Sequence, residues 1–159
     1  MATVYLSLGS NTGNRKYHIM QAVARLAKRA GSISALSSLY VTAPWGFVSD
    51  HPFLNAAAAL QTVLSPRDLL ALTQQIEKEL GRTRKSDGEY HDRCIDIDLL
   101  LYDGLVLNSP DLVIPHPLMH RRPFVLEPLC EIAPELEHPV LHATVRTLWE
   151  ELKTADSAE

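Results

Sequence analysis

Polar and apolar side chains alternate over Thr3-Val4-Tyr5-Leu6-Ser7-Leu8, the period of two of a half-buried strand. Gly9–Asn14 interrupts the alternation as a tight loop. Apolar positions at Ile19, Met20, Val23, Ala24, Leu26 and Ala27 then predict a helix to about Ala30, stopped by Gly31. Ile33–Thr42 reads as a second strand, and Ala43–Pro52 as a loop long enough to carry function. Phe53–Val63 is the third strand, with Phe53 and Asn55 on one face. Ser65-Pro66-Arg67-Asp68 has the chemistry of a helix start: a Ser cap, Pro at the first position, an acid at the third. That helix is expected to end at Leu80–Gly81 and to bury Leu69, Leu72, Ile76 and Leu80, with Leu70, Gln74 and Glu77 on a neighbouring face. Arg82–Asp92 is polar apart from Tyr90 and is expected to be mobile without ligand. A fourth strand runs to Tyr102, where Asp103-Gly104 predicts a hairpin into Leu105–Leu107. Val113–His116 is a short extended piece, helices follow near Pro123–Glu131 and Thr144–Leu152, and Thr154–Glu159 is expected to fray.

The order β-α-β-β-α-β with a helical tail predicts an α+β fold. Its expected form is a ferredoxin-like sheet with helices packed on it, an extra C-terminal hairpin and helices, and three flexible active-site loops. A length of 159 residues suits one domain spanning 1–159, and no internal repeat is visible. With 46% hydrophobic and 21% charged residues the composition is that of an ordinary globular chain. No apolar run approaches the roughly 18 residues of a membrane span. The first residues lack a basic region and a cleavage pattern, so a cytoplasmic location is expected. Cys94 and Cys130 have no zinc spacing and read as reduced thiols. No long heptad or apolar patch marks an interface, so a monomer is expected. The net charge of −4 opposes a general nucleic-acid binder. The charge is uneven, however: Arg82, Arg84, Lys85 and Arg93 gather in one stretch, and His116, His120, Arg121 and Arg122 come after it. A local basic zone on an acidic chain suits a small polyanion better than a polymer.

Asp96 and Asp98 lie in the middle of that zone. On a strand they point the same way, with Cα atoms about 6.5–7 Å apart. Ile95, Ile97, Leu99 and Leu101 occupy the opposite face and read as core. An isolated Asp-x-Asp is most simply a solvated strand face. Here the same face continues into Leu100 and Tyr102, so it is not simply wet. Paired carboxylates resist burial unless a cation lies between them. Mg²⁺ fits, since it needs only one or two carboxylates when substrate phosphates complete its shell.

Five segments in order, Leu8-Gly9-Ser10-Asn11, Leu54-Asn55-Ala56-Ala57, Gly81-Arg82-Thr83-Arg84-Lys85, Arg93-Cys94-Ile95-Asp96-Ile97-Asp98 and Pro115-His116-Pro117, give the chain its resemblance to a known family. It resembles the 6-hydroxymethyl-7,8-dihydropterin pyrophosphokinases of folate biosynthesis from residue 3 to about residue 150. The resemblance implies transfer of diphosphate from ATP to the pterin's hydroxymethyl group, giving AMP. It implies two Mg²⁺ ions on Asp96 and Asp98, with Arg82 and Arg93 as further catalytic residues at the triphosphate. ATP would also meet Leu70, Gln74, Glu77, Arg84, Leu99, His116 and Arg122. The pterin would lie between Phe53 and Phe124, read by Asn55 with Thr42 and by the loop residues Ala43, Trp45 and Gly46. Tyr90-His91-Asp92 stands where many members carry Trp-Gly-Pro, and Pro117 where relatives carry Tyr. The partners implied are small molecules, with neither nucleic acid nor membrane. Another reading of the same topology is a non-catalytic RNA- or ligand-binding module. The strand centres offer Ala57, Ala59 and Asp96 rather than the aromatics an RNA binder needs.

Overall fold

The computed structural model describes residues 1–42, 52–81 and 94–157. The expected site residues Ala43, Trp45, Gly46, Arg82, Arg84 and Arg93, with Tyr90-His91-Asp92, lie outside the described residues.

β1 (Ala2–Ser10) is the axis of the sheet, paired antiparallel with β4 (Phe53–Thr62) on one side and β5 (Asp96–Tyr102) on the other. β2 (Gly31–Leu36) and β3 (Tyr40–Thr42) both pair antiparallel with the far edge of β4. The strand expected over Ile33–Thr42 is therefore broken. Ser37 explains the break: its N–H donates to the Ala57 carbonyl at 2.9 Å, while its Oγ replaces a main-chain acceptor for the Ala57 N–H at 2.8 Å. The exit from the first helix into β2 needs glycine, because a Cβ on Gly31 would stand 1.9 Å from the Gln61 carbonyl oxygen.

Helices cover both faces. α1 (Arg15–Arg29) is capped by the Asn14 side chain, which accepts from the Tyr17 N–H, and Lys28 and Arg29 complement its C-terminal dipole. α2 (Pro66–Glu79) starts as its sequence predicts, with the Ser65 side chain accepting from the Asp68 N–H. These two bury Ile19, Ala22, Leu26, Leu69 and Ile76 against Val4, Leu6, Leu8, Leu60 and Ile97. The α1 stripe differs from expectation: Met20, Ala24 and Ala27 are exposed and Ala22 is buried. Its buried residues recur at 19, 22 and 26, in line with the buried C-cap Ala30, the narrow stripe of a helix touching the sheet along one line.

On the other face α3 (Pro123–Ile132) and α4 (Val145–Ser157) pack Val125, Leu126, Leu129, Val145 and Leu148 against Ala57, Leu100 and Leu101. Strict alternation puts Leu101 opposite the aspartates, but a register shift turns it to this face. Leu6 pairs with Leu99 and Tyr5 with Leu101, so Leu100 is an extra residue that reverses the parity of the rest of the strand. Tyr102 turns accordingly toward the first core. Residues 154–157, expected to fray, continue α4.

The Asp103-Gly104 turn does not lead into a hairpin with β5. Asp103 locks onto β1 instead, its N–H donating to the Thr3 carbonyl and its Oδ1 accepting from the Thr3 N–H, each at 2.9 Å. The chain beyond it forms a separate ladder of β6 (Leu107–Asn108) with β7 (Val113–Ile114). The outer edge of β5 is met by two other groups, the Glu77 carboxylate at Ile97 and the His116 N–H at Leu100.

Candidate active site

The strand registers place the candidate residues on one face. Phe53, Asn55 and Ala57 alternate along β4, and Ala57 packs beneath α3. Across β1, Gly9 is opposite both Asn55 and Asp96, and Ser7 is opposite both Ala57 and Asp98. The row Asn55–Gly9–Asp96 thus crosses three strands at about 4.8 Å per step. Gly9 is the low point of this row. A Cβ there would lie 2.9 Å from Asn55 Oδ1 and 3.5 Å from the Phe53 ring, so the missing side chain leaves a floor between them and the aspartates. The motif Leu8-Gly9-Ser10-Asn11 does not by itself disclose this role.

Asn55 is 2% exposed, and its Nδ2 donates to Thr42 Oγ1 at 2.5 Å. That bond uses the amide side of the group and sets Oδ1 toward Gly9. Phe124, the second residue of α3, is half-buried on the same face and leans on the second core. The guanidinium of the buried Arg122 stands 5.6 Å from the Phe124 ring centroid, within cation–π range. Phe53 is also half-buried.

Asp96 and Asp98 are half-exposed on the face shared with Asn55. Among the described residues no group of three or more His, Cys, Asp or Glu side chains converges. Two carboxylates with the rest of the shell left to water and phosphate suit Mg²⁺ and are too few for a closed structural site. Ile97 lies between them, buried toward α2, and its N–H donates to Glu77 Oε2 at 2.8 Å. Thr12 Oγ1 approaches Cys94 Sγ at 3.7 Å, drawing the loop after β1 to the start of β5.

Of the described residues expected at the nucleotide, Leu70, Gln74, Glu77 and Leu99 lie on the α2 side of β5, whereas Arg122 stands beside Phe124 on the aspartate face. Leu99 is buried in the first core, Leu70 packs partly against it, Gln74 is half-exposed, and Glu77 is 2% exposed. His116 is tied to the strand through its N–H, which donates to the Leu100 carbonyl at 2.9 Å. Its Nδ1 accepts from the Leu118 N–H, placing the proton of the neutral ring on Nε2. An open apolar cleft of about 460 Å³ flanks His116 between the β6–β7 ladder and Val140–Leu141, and its lining contains neither aspartate and none of the pterin-side residues.

A further group escapes any reading of the sequence. Glu131 of α3 accepts from the Ser38 N–H at 3.1 Å and from the Tyr40 hydroxyl at 2.5 Å, latching α3 to the break between β2 and β3. The hydrogen bond to Glu131 pushes the Tyr40 phenol up to about 12, and the same bond holds the Glu131 carboxyl below its usual range.

The family model for 7,8-dihydro-6-hydroxymethylpterin-pyrophosphokinase (HPPK) matches residues 5–134. The chain belongs to the HPPK family. Among HPPK relatives, the 2-amino-4-hydroxy-6-hydroxymethyldihydropteridine pyrophosphokinase of Porphyromonas gingivalis is 54% identical over 141 residues, covering 87% of this chain and 95% of the relative. The Bacillus subtilis protein of the same name is 44% identical over 134 residues, covering 84% and 79%. The folic acid synthesis protein fol1 of Pneumocystis carinii is 40% identical over 153 residues, which are 96% of this chain but 20% of that protein. Among solved structures, an HPPK-DHPS in complex with substrates superposes with a TM-score of 0.79 at 14% identity, covering 99% of this chain and 44% of that one. The Plasmodium falciparum HPPK-DHPS with pteroate gives 0.79 at 17% identity, covering 99% and 43%. This chain thus spans under half the length of these solved chains, and at such identities the likeness shows the fold. Among the described residues no helix is long and apolar enough to cross a membrane.

Proposed function

We propose that this chain transfers diphosphate from ATP to the hydroxymethyl group of 6-hydroxymethyl-7,8-dihydropterin in folate biosynthesis, releasing AMP and the pterin diphosphate. The observation that carries this reading is the row of Asn55, Gly9 and Asp96 across three strands. It sets a fixed carboxamide and an aromatic ring beside a bare floor, one strand away from two carboxylates. The placement of β4 between β1 and β2 also supports the ferredoxin-like reading of the sheet.

A flat heterocycle would lie on the Gly9 floor with Phe53 and Phe124 against its faces, an arrangement that offset stacking favours. Asn55 and Thr42 would read its edge, joined by Ala43, Trp45 and Gly46. A ring lacking the matching donors and acceptors would leave these polar groups unpaired and bind weakly. The nucleotide would pass round the outer edge of β5, since Leu70, Gln74 and Leu99 lie on the α2 side and the aspartates on the other. His116, Arg122, Arg82, Arg84 and Arg93 would hold the phosphates, the arginines through bidentate forks. Asp96 and Asp98 would hold two Mg²⁺ ions, which when bound supply charge neutralisation and alignment for in-line attack on the β-phosphorus. The rest of the work of the protein is positioning.

Incubation of the chain with ATP, Mg²⁺ and the hydroxymethyl pterin, followed by separation of nucleotides, tests the reading. AMP and the pterin diphosphate should accumulate in equal amounts. ADP as the product would overturn it.

A further inference from the structure

Glu77 occupies an unusual place for a carboxylate. It stands in the last turn of α2, 2% exposed, in a helix where Leu69, Thr73 and Ile76 are fully buried. Burying a charge costs stability unless strong hydrogen bonds offset it. Its Oε2 accepts the Ile97 N–H at 2.8 Å, a hydrogen bond that offsets part of the cost of burying the group.

The position of that amide matters more than the bond itself. β5 is the outer strand of its sheet, with β1 on one side. In an antiparallel ladder alternate residues turn their amides away from the partner strand, and on an outer strand these groups need another acceptor. Ile97 is also the residue between Asp96 and Asp98. Its side chain is locked in the core beneath α2, so α2 grips β5 at this point through both packing and Glu77. The two aspartates project from the opposite face on either side of it.

We infer that Glu77 is a positioning residue for the carboxylate pair: through the Ile97 amide it fixes the backbone that sets the spacing and aim of Asp96 and Asp98 toward divalent cations. The inference rests on the diphosphokinase reading for its meaning in catalysis. Partners behind metal ligands typically affect metal affinity 10–100-fold. A residue that acted only by touching nucleotide would instead change ATP binding.

The test uses the full chain with Glu77→Gln and Glu77→Ala, and Mn²⁺ as the probe. Mn²⁺ binding is followed by electron paramagnetic resonance with a non-hydrolysable ATP analogue present, and exchange of the Ile97 amide is followed by NMR. Gln keeps an acceptor oxygen but brings an amide group into the buried site, so it falls between the other two. Mn²⁺ affinity and Ile97 protection should decrease in the order wild type, Gln, Ala, with Ala weaker than wild type by about tenfold or more. The KM for ATP should move less than the Mg²⁺ requirement. A folded Ala variant with unchanged Mn²⁺ affinity overturns the inference, whether or not its KM for ATP rises. Should Ala fail to fold, the comparison falls to Gln, where about a threefold loss is expected and unchanged Mn²⁺ affinity is the overturning result. A wild type that binds Mn²⁺ yet forms no AMP sinks the diphosphokinase reading and leaves the role of Glu77 standing.

Discussion

Asp96 and Asp98 are half-exposed, lie on one face, and have Gly9 and Ser7 opposite them. In the proposed reaction the pair would hold divalent cations against the phosphates. Asp96→Asn or Asp98→Asn should lower the rate of AMP formation at least about 100-fold, a loss of several kcal/mol of charge stabilisation. The fold should be retained, as far-UV circular dichroism would show, since both side chains are half-exposed. A near-normal rate in either variant would remove the metal argument. Gly9 makes a different prediction. In Gly9→Ala the new methyl meets Asn55 Oδ1 at 2.9 Å, and Asn55 is buried and bonded to Thr42. Affinity for the pterin should fall about tenfold or more, some 1.4 kcal/mol, while calorimetry with an ATP analogue alone shows little change. Equal losses for both ligands would mean that the sheet itself has shifted.

At the scale of elements, the latch between α3 and the β2–β3 break is the joint most open to test. It holds Tyr40 and Ser38 to Glu131, and α3 in turn carries Phe124. Glu131→Ala should cost about 1 kcal/mol, seen as a melting temperature a few degrees lower. The cost should vary with pH. The carboxyl of Glu131 is held below its ordinary value of 4.5, so its contribution is complete above that pH and is lost as pH falls through the lowered value. The Tyr40 phenol is raised from 10.0 to about 12, so its contribution is complete below 10 and is lost as pH rises toward 12. The difference between wild type and variant should therefore be greatest between roughly pH 5 and 10. A difference independent of pH would show that the latch is not what the substitution removes.

For the whole molecule, acid sensitivity has a visible source beyond surface carboxylates. His138 is buried, its Nδ1 accepts from the Val140 and Leu141 N–H groups, and its ring is 6.3 Å from that of His120. Burial lowers both imidazoles from 6.5, and the charge of Arg121 adds to the effect at His120. Neutral rings are thus preferred in the folded state, and stability present above pH 6.5 is lost as pH falls through the lowered values. The Nδ1 of His120 is buried without a hydrogen-bond partner, so His120→Phe removes a polar atom and a titrating group together. Melting temperatures taken from pH 7.5 down to pH 5 should fall less steeply in this variant, and an unchanged slope would assign the acid loss elsewhere.

Alternation and the start of α2 were legible along the chain because they depend on near neighbours. Asp96 and Asp98 share a face through the period of two, Ser65 caps α2 through a contact three residues away, and the βαββαβ order comes from such local marks. The site residues could be named one by one on the same basis and through family resemblance. Their meeting could not, because it depends on strand register: Gly9 joins Asn55 to Asp96 only when β4 and β5 pair with β1 as they do. Other departures were also decided by groups distant in sequence. Leu100 shifts the register opposite Tyr5 and Leu6, Ser37 breaks a strand by bonding Ala57, Asp103 turns onto Thr3, and Glu77 is buried against Ile97. Each answers to a backbone donor or acceptor across the fold, whose position exists only once the sheet has formed.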